Sequence, residues 1–551
     1  MKRIIANIKY LSAALCSVVL MSSCEDFLSI VPLNEIVLEN YWENEAEVTS
    51  VVASCYSGIA DGNFLTRAML WGELRSDNMS KGLINPETPY VEHIQLPEML
   101  ECNILPNYYI ADWSCFYTVI NRCNTVLHYA PGVIDVDPDF SESEWLAIEA
   151  EMLTLRALCY FYLVRSFRDV PMVLEPTIDD SKPMLMAAAH PDSVLQQIVS
   201  DLKKAELNAV KEYPENNNYN VSYTKGRVTR QAVWALLADV YLWMERYDDC
   251  VTYCEKVISA KIEEAEEERM SYDGLYPLLA NQKASASNNI HQAYNQIFGI
   301  GNSFESIFEV QIDYNYEEKR DPLRSYYGAY DVDMGALSAS TFFAENAKNG
   351  NEYFAKTDIR PYELFDVNDV NVYSIRKYIS GSINDEGEAS KRMANYSNWI
   401  FYRLTDVMLM EAEALVERND SASNDLRMAF NLTNAVYSRS NLAAPVKDSL
   451  TFSSYGTQNQ MRDFVLLERQ RELMFEGKRW FDLVRKARRE GSNGAMLDLA
   501  KRKYNKPDAV KSKWIKPDML YLPIHENELK VNPLLVQNPE YETDETISTA
   551  K

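Results

Sequence analysis

Histidine is scarce in this chain. His93, His128, His190, His291 and His525 are the five in 551 residues, and no two fall in an H-E-x-x-H pattern, so a histidine-ligated metal site is not expected. A G-x-S-x-G elbow and a P-loop are also missing, and Gly299-Ile300-Gly301 lacks the third glycine of a dinucleotide loop and reads as a turn. Asp366, Asn368, Asp369 and Asn371 offer oxygen ligands without the glycine and terminal glutamate of a calcium loop, and Asp331 with Asp333 is equally weak. No catalytic residue, metal or cofactor is expected, and among 81 acidic residues no carboxylate pair stands out for glycoside hydrolysis. Basic residues are in deficit, 55 against 81 acidic, and a formal charge of -26 repels phosphate backbones, which argues against a nucleic-acid partner. Glycine (18) and proline (21) are too few for a fibrous or low-complexity chain.

Long apolar runs are confined to the first residues. Lys2, Arg3 and Lys9 precede an apolar stretch from Tyr10 to Met21, the charged and hydrophobic parts of a secretory signal and too short to span a bilayer. Leu20-Met21-Ser22-Ser23-Cys24 resembles a bacterial lipobox, so residues 1–23 are expected to be removed and Cys24 to carry lipid. Acyl chains contribute about 0.8 kcal/mol per buried methylene, enough for stable anchoring when several are attached. Glu25-Asp26 resembles the surface-export signal of Bacteroidetes lipoproteins, which places the body outside the outer membrane. Loss of three basic residues with the signal takes the formal charge from -26 to -29. Apart from Cys16 and Cys24, seven of the nine cysteines remain; they lack C-x-x-C spacing and read as buried free thiols, with Cys250 and Cys254 one helical turn apart.

Helical apolar spacing recurs over residues 113–129, 148–168, 192–208, 228–244, 247–259, 403–417, 425–438 and 464–487. The expected class is mainly α: a helical scaffold over about 41–260 and 400–545, with a loop-rich, strand-poor insertion over about 261–400. Residues 228–244 are apolar nearly all round, can be capped by Thr229, and hold Ala232, Ala235 and Ala238 where a partner helix can approach. With the helix that follows Arg246-Tyr247-Asp248 they form a hairpin like one tetratricopeptide unit, and similar hairpins can be drawn at 113–168 and 403–438. In the insertion, Ser306 to Gln311 is the best strand candidate.

The segment from Glu468 to Arg485, ERQRELMFEGKRWFDLVR, resembles the signature helix of the SusD/RagB family of outer-membrane nutrient-binding lipoproteins. Further blocks follow in family order: Cys24-Glu25-Asp26-Phe27-Leu28, Trp71 to Met79, Leu155-Arg156-Ala157 through Asp169-Val170-Pro171, Gly226 to Thr229, Tyr402 to Val407 with Glu411 to Ala414, and Tyr521 to Pro533. Ser29 departs from the acidic residue common after Phe-Leu. The resemblance covers essentially the whole chain after the signal. It implies a tetratricopeptide-type scaffold docked on a SusC-like TonB-dependent transporter, a ligand site in the irregular half, and binding rather than cleavage. Read physically, Arg469, Arg471, Glu472, Glu476, Gly477, Arg479, Trp480 and Asp482 are architectural: alternating charges around apolar residues suit an ion-pair network, with Glu411 and Glu413 as further acceptors.

Tyrosine is plentiful, 35 against 19 Phe and 9 Trp, and joins a flat apolar face to a hydroxyl. Its densest cluster with arginine is Tyr314, Tyr316, Arg320, Arg324, Tyr326, Tyr327 and Tyr330, a composition suited to sugar rings. A second candidate stretch follows Asn78, with Asn85, Tyr90, Asn107, Tyr108 and Tyr109. The expected ligand is a glycan; peptide capture for the same kind of transporter is the alternative, and a glycoside hydrolase a more distant one.

Overall fold

The structure is a computed structural model that describes residues 41–83, 94–178, 185–213, 221–272, 274–281, 290–312, 322–328, 335–367, 372–390, 397–442, 450–504 and 507–542. Its longer helices are α1 (Glu45–Ile59), α2 (Gly62–Glu73), α3 (Ser114–Tyr129), α4 (Glu142–Phe167), α5 (Pro191–Asn208), α6 (Arg230–Trp243), α7 (Tyr247–Glu267), α8 (Leu404–Arg418), α9 (Asp425–Ser440), α10 (Gln458–Leu473) and α11 (Arg479–Glu490). The class is mainly α. Local chemistry sets the starts: Ser141 and Thr457 form capping boxes with Glu144 and Gln460, Pro191 opens α5, and Thr229 caps α6 by accepting from the Ala232 amide.

Each helix packs on the next along an array: α1 on α3, α3 on α4, α4 on α5, α5 on α6, α6 on α7, α7 on α8, and α8 on both α9 and α10. Residues 268–403 are an excursion from this array, since α7 packs directly on α8. Helix α7 runs on to Glu267, beyond the boundary expected near residue 260, with Ala265 buried in its last turns. Arg156 of α4 clasps Asp201 of α5 at 2.9 Å, and Arg165 of α4 meets Asp239 of α6 at 3.2 Å, so neighbouring helices are joined by buried charge as well as by apolar contact.

Among the described residues, six short strands lie in or beside the excursion: β1 (Met79–Lys81), β2 (Ser306–Val310), β3 (Leu337–Ala339), β4 (Phe365–Val367), β5 (Tyr373–Ile375) and β6 (Trp399–Arg403). They form an antiparallel sheet in the order β1-β3-β5-β4 and a separate β2-β6 pair. The strand expected at Ser306 is β2, and it delivers its partner β6 straight into α8.

One expected helix is two. Residues 464–487 break between α10 and α11, where Phe475 (φ 69°) and Gly477 (φ 70°) turn left-handed. All seven cysteines outside the amino-terminal region are free, and all but the partly exposed Cys115 are buried; Cys250 and Cys254 bring their sulfurs to 4.0 Å. Cys24 and the signal lie outside the described residues.

Candidate functional site

The α10–α11 turn is the centre of a buried charge network. Glu472 accepts from Arg403 at 2.7 Å, from Arg360 at 3.3 Å and from Arg439. Glu476 accepts from Arg403 at 2.7 and 2.8 Å and from Lys377 at 2.5 Å, and Arg360 also clasps Asp358 and Glu468. A second cluster joins Arg469 to Asp482 and Asp406, and Arg485 and Arg489 to Glu413. Arg471 bonds Glu468 and the Tyr353 carbonyl, and Trp480 lies under the Arg75 guanidinium, 4.2 Å from its ring centre. Burial pushes the Glu472 carboxyl up, but Arg439, Arg403 and Arg360 outweigh it and hold it well below the usual carboxylate range.

Glu411 departs from expectation. Its side chain does not join these clusters: Oε2 is buried without a hydrogen-bond partner, and burial, aided by nearby Glu255, pushes the carboxyl up to about 8. Glu413, two residues on, lies on another face of α8 and takes the arginines instead.

The turn also fixes the block from Trp71 to Met79. A Cβ on Gly72 would stand 1.8 Å from the Gly477 carbonyl oxygen, so the two glycines let the backbones meet. Glu73 accepts from the Asn78 side chain at 2.6 Å and from the Phe475 amide at 3.1 Å; Gln470 donates to Asn78 at 2.9 Å; Arg479 grips Asp77 at 2.8 and 2.9 Å. Strand β1 leaves this knot at Met79 and pairs with β3, and the next amide, Gly82, donates to the Ala336 carbonyl.

The two candidate stretches, far apart in sequence, meet beside β1. Tyr109 and Tyr326 share a hydrogen bond between their hydroxyls at 2.8 Å, and the Tyr109 amide donates to Gln95 at 3.0 Å. Tyr327 donates to the Phe475 carbonyl at 3.0 Å, tying helix Pro322–Tyr326 to the signature turn. Tyr326 and Tyr327 are 0% and 1% exposed, which corrects their expected role: their rings are packing surface and offer no face to a ligand. The spacing of Leu323, Tyr326 and Tyr327 on one helical face is the signal that marks them as core. Tyr108 is buried as well, its hydroxyl donating to Glu98. Tyr109 and Arg324 remain partly exposed and Asn107 is exposed, as are the aliphatic Leu83, Ile94 and Leu105. Nothing in the sequence marks those three as exposed, because single surface aliphatics carry no signal. Asn85, Tyr90, Tyr314, Tyr316, Arg320 and Tyr330 lie outside the described residues. The surface joins apolar faces to a guanidinium and an amide, a composition for holding a polyhydroxylated ligand.

Several described groups suited to chemistry are engaged in structural contacts. Asp366 is paired with Lys348 and Arg376; burial raises its carboxyl, and Arg376 and Lys348 more than offset it. Asn368, Asp369, Asn371, Asp331 and Asp333 lie outside the described residues. His291 bonds Glu363 at 2.9 Å in the core, while His190 and His525 cap helices. Among the described residues no cluster of three or more His, Cys, Asp or Glu side chains could hold a metal ion.

Residues 256–541 match the family model described as "SusD family", and residues 26–242 match one described as "Starch-binding associating with outer membrane". The chain is 23% identical to SusD-like protein P38 of Formosa agariphila over 87% of its own length and 91% of that protein. It is also 23% identical to a SusD-like protein of Bacteroides ovatus, covering 88% and 83%. Among solved structures, a SusD superfamily protein from Bacteroides thetaiotaomicron aligns with a TM-score of 0.63 at 21% identity, covering 91% of this chain and 99% of the other. A structure titled "Laminarin binding SusD-like protein" aligns with a TM-score of 0.62 at 21% identity, covering 90% and 100%.

Proposed function

The chain belongs to the SusD family, and from that membership we propose that it is a lipid-anchored receptor on the outer membrane that binds a glycan and delivers it to a SusC-like TonB-dependent transporter. The observation that carries the reading is the meeting of the two candidate stretches at the Tyr109–Tyr326 contact, on a face braced by the signature turn. Rigid support below and partly exposed Tyr109 and Arg324 above are what a recognition surface needs, because loops held by a packed frame bind without a large ordering cost. The family description that names starch and the laminarin-binding neighbour support a glycan as the ligand class. The lipobox-like Leu20 to Cys24 supports anchoring, and no described helix is long and apolar enough to cross a membrane. The role is binding without turnover.

Affinity electrophoresis of the chain from Glu25 onward, through gels carrying plant, fungal, bacterial and host polysaccharides, tests this. Retardation by a glycan that stays unhydrolysed is the expected result. Tyr109→Ala and Arg324→Ala should each weaken it, the lost aromatic contact alone by about 2- to 10-fold. Binding of peptides with no glycan retarded would replace the ligand class, and release of sugar products would make the protein an enzyme. Co-purification of the intact lipoprotein with an outer-membrane barrel tests the transporter.

A further inference from the structure

A groove of about 520 Å³ opens on the scaffold, lined by Trp113 and Tyr117 at the start of α3, by Pro171 and Met186, and by Leu535 near the carboxyl terminus. Its walls are stitched together where Asn532 donates to the Met186 carbonyl at 2.7 Å. Beside it the carboxyl-terminal strip leaves three aliphatic side chains in water: Val531 (63% exposed), Leu534 (51%) and Val536 (75%). Gathered exposed apolar surface beside a groove marks a contact site.

The polar groups of the groove are turned toward the protein. Tyr117 donates to the Pro171 carbonyl at 2.7 Å, and the Asn121 amide is occupied by the Thr177 backbone, accepting at 2.7 Å and donating at 3.5 Å. A sugar would find few hydrogen-bonding groups on offer, whereas an apolar chain segment needs none. Such a segment exists in this chain. Phe27 to Leu38 reads FLSIVPLNEIVL, with eight large apolar residues in twelve and Glu35 as its one charge.

The described chain begins at the far end of the helix that floors the groove. Trp42 stacks on Tyr129, the last residue of α3, with ring centres 5.5 Å apart. From Tyr129 back to Tyr117 is twelve helical residues, about 18 Å. Along that path α3 leaves His128 and Thr118 exposed and Thr125 partly so. About six extended residues cover the distance. An extended chain leading back from Trp42 would reach the groove near Ile36, with Phe27 to Glu35 left to span it.

We propose that residues 27–38 run back along α3 and seat their apolar side chains in this groove and against Val531 and Val536, strapping the membrane-proximal leader to the scaffold. The inference stands apart from the glycan reading, because it concerns a different surface and a different occupant. It would give the body one fixed attachment point, with the leader leaving the molecule beside the carboxyl-terminal strip.

Hydrogen-exchange mass spectrometry on the chain from Glu25 tests it beside three companions: the chain from Tyr41, Ile30→Asp/Leu33→Asp, and Val531→Asp/Val536→Asp. Residues 27–38 should exchange about tenfold or more slowly than the same sequence as a free peptide, the effect of seating even one aliphatic side chain. Both double variants should abolish that protection with unchanged Tm, since the replaced side chains are leader residues or exposed ones. Starting at Tyr41 should speed exchange of residues 113–121 and 528–535. Free-peptide exchange of 27–38, or equal groove protection with and without the leader, overturns the proposal. Groove protection in the shorter chain that grows with protein concentration also overturns it, by assigning the groove to a second copy.

Discussion

Glu472→Gln is the sharpest test of the charge network. The side chain is 3% exposed, and it is the shared acceptor for Arg403, Arg360 and Arg439, themselves 1%, 3% and 7% exposed. The amide keeps the shape but removes the charge and turns an N–H pair toward a guanidinium. Removing one partner from a buried ion pair costs about 3–5 kcal/mol, and here three cations lose a share of their compensation. Against a total of about 5–15 kcal/mol, that is a large fraction of stability. Urea unfolding at pH 7 should show a lower midpoint with an unchanged slope. The pH dependence sharpens the test. The folded carboxyl sits well below its ordinary value of 4.5, so its contribution is complete above that pH and is lost only as pH falls toward the folded value. The gap between wild type and variant should therefore stay constant from pH 5 to 8. A loss under about 1 kcal/mol, or a gap already closed at pH 5, would refute the account.

Glu411 predicts the opposite behaviour: its folded carboxyl is raised to about 8 from 4.5, so its contribution weakens as pH rises through that interval. Glu411→Gln should be near neutral at pH 5 and stabilising by about 1–3 kcal/mol at pH 8, read from urea midpoints at the two pH values. Gly72→Ala puts a methyl into the Gly477 carbonyl and should cost at least about 1–3 kcal/mol in thermal unfolding. Tyr327→Phe deletes one buried hydrogen bond and should lose about 0.5–1.5 kcal/mol while leaving glycan retardation unchanged, because that ring faces the core.

The helices were legible because their apolar periodicity is long and their caps are chemical: α6 starts at Thr229 as its sequence requires. The break inside ERQRELMFEGKRW was not, since Phe475 in a left-handed conformation is imposed by tertiary contacts; Gly477 was the one local hint. Strands β1, β3, β4 and β5 are three residues each, too short for alternation to register. At the candidate face the composition could not separate Tyr109, partly exposed, from Tyr326, which is buried and bonds it from below. Burial is a property of the partner surface, and for Tyr326 that partner lies 217 residues away.

The grip of Arg479 on Asp77 joins residues 402 apart, and Arg75 donates to the Leu520 carbonyl across 445. A chain emerging amino terminus first can stack α3 to α7 early, since those contacts are local. It cannot lock β1 or the face beside it until the last fifth has arrived. Assembly of the candidate face therefore waits for the last fifth of the chain, and a chain cut short before α11 would lack the Arg479 grip on Asp77 that completes its bracing.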